Sequence, residues 1–129
     1  MPAGEAFTTA EKLDIRRAID SASATCGLRF SVFVGTLEQG RASALLLHEA
    51  LGDDRDSAVL VAVDPGGRRL EIVTGDAAAG QLDDQACALA ALTMTSAFSG
   101  GDLVGGLRNG LLQLAEKARA PRSLHGNQP

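Results

Sequence analysis

Five aspartates stand where a hard cation could be held. Asp53 and Asp56 lie in the polar segment Gly52-Asp-Asp-Arg-Asp56, Asp76 follows a short strand-like run, and Asp83 and Asp84 open a long apolar segment. Carboxylate oxygens suit Ca²⁺ or Mg²⁺, so Asp53, Asp56, Asp76, Asp83 and Asp84 are the candidate metal ligands. A competing reading needs no ion. Asp83 and Asp102 each precede a helical segment, where a carboxylate that accepts a backbone N–H contributes about 1 kcal/mol as an N-cap. Asp53, Asp54 and Asp56 then face water. No D-x-D-x-D-G run of the EF-hand kind is present, and the balance lies with the caps; no cofactor is expected.

Other chemistries find less support. His48 sits in a helical segment without a His or Cys three or four residues away, and His125 is in the polar tail. A zinc site or a His-assisted nucleophile therefore lacks its parts, and His48 is expected at a helix surface or edge. Cys26 and Cys87 match no C-x-x-C pattern and read as small buried hydrophobes. No serine sits in a G-x-S-x-G elbow. The run Gly100-Gly-Asp-Leu-Val-Gly-Gly106 lacks the Gly-Lys-Ser/Thr ending of a phosphate loop, and Asp102 would repel a phosphate there. Net charge is −4, aromatic content is 3%, and the arginine pairs Arg16-Arg17 and Arg68-Arg69 are isolated. Nucleic acid is thus an unsuited partner, since it needs phosphate neutralisation or stacking platforms.

These residues must be placed by a small α/β domain. The 129 residues allow one domain, expected over 7–118, with flexible ends at 1–6 and 119–129. Thr8 and Glu11 form a capping box ahead of a helix with Ile15, Ala18, Ile19, Ala22 and Cys26 inward, closed at Gly27. Leu28–Val34 reads as a strand apolar on both faces. Gly40–Leu51 reads as a helix with Ala42, Leu45, Leu46 and Ala50 toward the sheet. Ala58–Val63 is a continuous apolar run, as in an interior strand. Asp64-Pro-Gly-Gly67 is a turn in which the glycines accept positive φ, and Arg69–Thr74 is the returning strand. Asp83–Phe98 is apolar almost all round and is expected to be the most buried helix. The last helix follows Asp102 to about Ala118, where Gly106 and Gly110 predict close packing on a neighbour.

The connections predict polarity. The first two strands are joined through a helix and should be parallel; the third returns antiparallel. One end of the sheet then collects Arg29, the Asp53–Asp56 loop, Asp76, Asp83 and Asp84. The other collects Gly35-Thr36, Asp64 and Asp102. Asp83 and Asp102 are separated by a helix of about 24 Å at 1.5 Å per residue and cannot share one ion.

The order of elements, with Thr8-Thr-Ala-Glu11, Gly27-Leu-Arg-Phe-Ser-Val-Phe-Val34, Arg68-Arg-Leu-Glu-Ile-Val-Thr-Gly75, Leu82-Asp83 and Gly101-Asp102 at the joints, resembles the TPM domain superfamily. The resemblance is closer still to a short actinobacterial TPM-like group of unknown function, over about Phe7 to Ala118. The resemblance implies a three-layer α/β/α sandwich with a small mixed sheet of three to four strands and four helices. It also implies divalent-metal binding or phosphatase activity for some members and interaction roles for others. The chain departs from the family where Gly75 is followed by Asp76-Ala-Ala-Ala79 in place of Gly-x-Gly-Leu-Glu, and no lead strand precedes the first helix.

The expectation is therefore a non-enzymatic protein-interaction or regulatory module. Its alternative is a weak metal-dependent phosphatase at the aspartate-rich end of the sheet. A protein partner, no direct membrane insertion and a cytoplasmic setting are expected, because no N-terminal run has the layout of a cleaved leader.

Overall fold

Elements and layers

Residues 7–119 are described in the computed structural model of the chain. Helix α1 spans Thr9–Cys26, β1 Arg29–Val34 and α2 Arg41–Glu49. A 3-10 turn at Arg55–Ser57 leads into β2, Ala58–Asp64, and then β3, Arg69–Thr74. The short α3 (Asp76–Ala79), α4 (Asp84–Ser99) and α5 (Leu103–Arg119) follow. The ends at 1–6 and 120–129, with His125, lie outside the described residues; Arg119 itself still belongs to α5.

The sheet has order β1-β2-β3. β1 runs parallel to β2, with Phe30 beside Val59, and β3 is antiparallel, with Leu60 beside Val73. Every residue of β2 is buried, because it alone has a neighbour on each side and helices over both faces. Phe30, Val59, Val61 and Val63 meet Ile15, Ala18 and Ala22 of α1, Met94 of α4 and Leu107, Leu111 and Leu114 of α5. Leu60, Ala62 and Val73 face the other way, against Leu37 and Ala44, with Phe33 and Leu47 at the margin. This is a three-layer α/β/α sandwich with α2 alone on one side.

Caps and corrections

The first helix begins as its sequence predicts. Glu11 N–H donates to Thr8 Oγ1 at 3.1 Å and Thr8 N–H to Glu11 Oε1 at 2.8 Å, while Gly27 closes it at φ 82°. Three expectations are corrected. Asp76-Ala-Ala-Ala79 forms a helix of its own, so the described residues hold five helices. The inward face of α2 is Ala44 and His48, whereas Leu45 and Leu46 are 47% and 66% exposed. The run Leu45-Leu-Leu47 spans more than half a turn and permits either phase. Ala44 settles it, since its small side chain lets α2 lie close on Leu60 and Ala62.

The third correction concerns α4. It buries only Ala86, Ala90 and Met94, while Leu89 and Leu92 stand 44% and 65% exposed. Its apolar composition does not translate into full burial because a three-strand sheet is narrow. Helix α4 packs on α5 and β3, which leaves its opposite side open.

Candidate functional site

The aspartate-rich end

The predicted polarity holds, and it gathers the start of β1, the loop before β2 and the exit of β3 at one end. Arg29 pairs with Asp54 there at 2.7 Å. Gly75 N–H donates to Ala58 O at 2.9 Å, and His48 Nε2 lies 3.1 Å from the same carbonyl. A ring N–H donating to Ala58 O makes Nε2 the protonated nitrogen. His48 is thus a buried link between α2 and β2, only 8% exposed, and not a surface residue. Its missed signal was the phase of α2.

Asp53, Asp56, Asp76, Asp83 and Asp84 are all exposed. Asp83 is the N-cap of α4, accepting from Ala86 N–H at 2.8 Å. Asp56 and Asp76 lie in the first turns of the 3-10 turn and α3. Among the described residues, no three carboxylate, histidine or cysteine side chains are grouped to hold a metal ion. Asp102 caps α5 at the far end of α4, accepting from Gly105 N–H at 2.8 Å.

The two cysteines are free and half-buried, not fully buried as their composition implies. Cys26 Sγ–H donates to Ala22 O at 3.4 Å. Burial, then the charges of Asp84 and Asp83, push the Cys87 thiol above its ordinary pKa. It is kept in the protonated, poorly nucleophilic form.

The hairpin end

The opposite end holds a concavity of about 440 Å³ between the β2–β3 turn and the α4–α5 joint. Val63, Leu70, Phe98 and Leu103 supply apolar walls; Asp64, Arg68, Arg69, Thr95 and Ser99 supply polar groups. The turn beside it is organised by Asp64, which is 7% exposed. Its carboxylate accepts from Leu37 N–H at 3.0 Å and Gly67 N–H at 2.9 Å. The Leu37 and Gly67 amides, aided by Arg69, hold Asp64 below the usual carboxylate range despite its burial. Arg69 in turn donates to Leu37 O at 3.3 Å. One carboxylate thus ties the β1–α2 loop to the hairpin.

The turn's glycines serve a different purpose from the one predicted. Gly66 and Gly67 do not take positive φ; Arg68 does, at 54°. A Cβ on Gly67 would sit 2.8 Å from Asp64 Oδ2. Gly67 is therefore required for close approach of its amide to the carboxylate.

Relationship to known proteins

Fold and site define a small α/β sandwich with a capped acidic end and a cationic, partly apolar pocket at the other. The chain belongs to the family described as a domain of unknown function (DUF5130), whose model matches residues 1–115. Two curated relatives, the uncharacterized proteins MT2543 and Rv2468c of Mycobacterium tuberculosis (strains CDC 1551 / Oshkosh and ATCC 25618 / H37Rv), are each 35% identical over 103 residues. That alignment takes in 78% of this chain, which spans 60% of either relative's length.

Among solved structures, the BA42 protein of the psychrophilic Bizionia argentinensis is similar with a TM-score of 0.78 at 16% identity, over 88% of this chain and 81% of that one. The N-terminal domain of the cg2496 protein of Corynebacterium glutamicum matches with a TM-score of 0.73 at 15% identity, over 92% and 79%. At these identities the likeness concerns the fold. Among the described residues, no helix is long and apolar enough to cross a membrane.

Proposed function

We propose that this domain is a non-enzymatic protein-interaction module of the TPM type, engaging its partner through the outer face of α4. The carrying observation is the pair Leu89 and Leu92, one helical turn apart and 44% and 65% exposed. Exposed apolar patches on a soluble domain mark contact surfaces, and burying a leucine removes area worth about 25 cal/mol per Å². The order of the elements supports the TPM kinship. The departure after Gly75, where Asp76-Ala-Ala-Ala79 folds as α3, supports a member without an acidic catalytic centre. So does the commitment of Asp54 to Arg29 and of Asp83 to the α4 cap.

The test uses the isotope-labelled full chain and the purified products of adjoining genes, titrated one at a time. Backbone shifts concentrated on α4, and lost in a folded Leu89→Asp/Leu92→Asp variant, support the reading. Mg²⁺-dependent hydrolysis of a generic phosphate ester that disappears in Asp83→Asn would replace it with the phosphatase alternative.

A further inference from the structure

We propose that the hairpin-end pocket binds a carboxylate attached to a short apolar group, with Arg68 as the anion-binding residue. Four observations converge. The first is the backbone of Arg68, at φ 54°. A left-handed conformation costs an L-residue free energy that glycine does not pay, and two glycines immediately precede this position. Strain of this kind clusters at ligand sites.

The second is charge. Arg69 is occupied by Leu37 O and lies near Asp64, and the ion pairs among the described residues use Arg29, Arg41 and Arg119. Arg68 takes part in none of them and lines the pocket. Asp64 lines the pocket too, but Arg69 beside it offsets its charge, so Arg68 is the cation left over. The oxygens of Asp64 and of nearby Asp102 are already hydrogen-bonded. Asp64 accepts from the Leu37 and Gly67 amides, and Asp102 from the Gly105 amide. An incoming anion therefore meets an available guanidinium.

The third is the lining. Val63, Leu70, Phe98 and Leu103 are apolar, and Thr95 and Ser99 add hydroxyls one turn apart on α4. Thr95 donates its proton to the Ala91 carbonyl at 2.9 Å, which leaves Ser99 as the wall hydroxyl to donate to a ligand. The fourth is size. A space of about 440 Å³ lies in the range that takes small organic molecules.

The charge count selects the anion class. One guanidinium provides one bidentate fork, matched to a monoanionic carboxylate. A phosphate monoester dianion would keep an uncompensated charge in a chain whose net charge is −4. The carboxylate could belong to a free organic acid or to the C-terminus of a peptide ending in an apolar residue; both present the same chemistry. Thr95 and Ser99 continue the stripe of α4 that carries Leu92. The two readings nevertheless have different tests, the Leu89→Asp/Leu92→Asp variant for the contact face and Arg68→Gln for this site, so either can fail without the other.

The experiment titrates the isotope-labelled full chain with hexanoate, hexylammonium, hexyl phosphate, and the dipeptide acetyl-Ala-Leu as free acid and as amide. Saturable shifts at Leu70, Phe98, Ser99, Gly101 and Leu103 with a carboxylate, but not with hexylammonium or the amide, support the proposal. Arg68→Gln should then weaken binding at least about tenfold with an unchanged melting profile, and added salt should weaken it further. Binding of hexanoate alone identifies a free acid, and binding of the peptide alone identifies a chain end. The proposal is overturned by no response to either carboxylate at millimolar concentration. It is equally overturned by an equal response to hexylammonium, by tighter binding of hexyl phosphate, or by unaltered affinity in Arg68→Gln.

Discussion

Asp64 and Arg68 sit four residues apart and show how much a single turn can demand of its residues. The folded state holds Asp64 ionised through the Leu37 and Gly67 amides. Its contribution is complete above the ordinary value of 3.8 and disappears as pH falls through the lower folded value. Urea midpoints measured from neutral pH down to about pH 2 should therefore fall along an acid limb. Asp64→Asn should lower the neutral plateau and flatten that limb. Arg68→Gly should do the opposite to stability. Relief of the left-handed penalty, less the entropy glycine loses on folding, leaves a gain of up to about 1 kcal/mol, read as a higher urea midpoint. Asp64 could be placed at the correct end of the sheet from connectivity alone. Its two amide partners could not, because Leu37 lies 27 positions away and meets it only after the parallel crossover forms.

The helices show the same division at the scale of elements. Gly106 and Gly110 predicted close packing, and α5 does lie on α4, with Gly106 against Phe98 and Gly110 against Met94. Alanine at 110 would gain up to about 1 kcal/mol of helix propensity. Its Cβ, however, would collide with the side chain of Met94, which is 0% exposed and has no room to retreat. Overpacking of this kind costs about 1–3 kcal/mol. Gly110→Ala should therefore be net destabilising in chemical denaturation, and the same substitution made in a Met94→Ala background should cost less, because the clash is gone there. The caps of α1 and α4 were legible because they involve residues three positions apart. The faces of α2 and α4 were not, since Leu45, Leu46, Leu89 and Leu92 carry the same hydrophobicity wherever they point.

Across the molecule, stability rests on β2. Leu60 is 2% exposed between the sheet and α2, so Leu60→Ala should cost about 2–5 kcal/mol. Leu46→Lys on the same side should change the unfolding free energy by less than about 0.5 kcal/mol, because Leu46 is 66% exposed. Comparing the two denaturation curves checks the layer assignment directly. The order of the longer elements, strand polarity, the buried middle strand, the helix caps and the separation of Asp83 from Asp102 were readable from the chain, unlike the short α3. They follow from local hydrogen bonding, side-chain period and the handedness of crossovers. Tertiary structure alone decided which leucines reach the core, that His48 is drawn in to Ala58 O, that Asp54 is paired with Arg29, and that Arg68 lines a pocket. Each of these depends on how far the narrow sheet extends beneath its helices, a property of the packed layers that no short stretch of sequence contains.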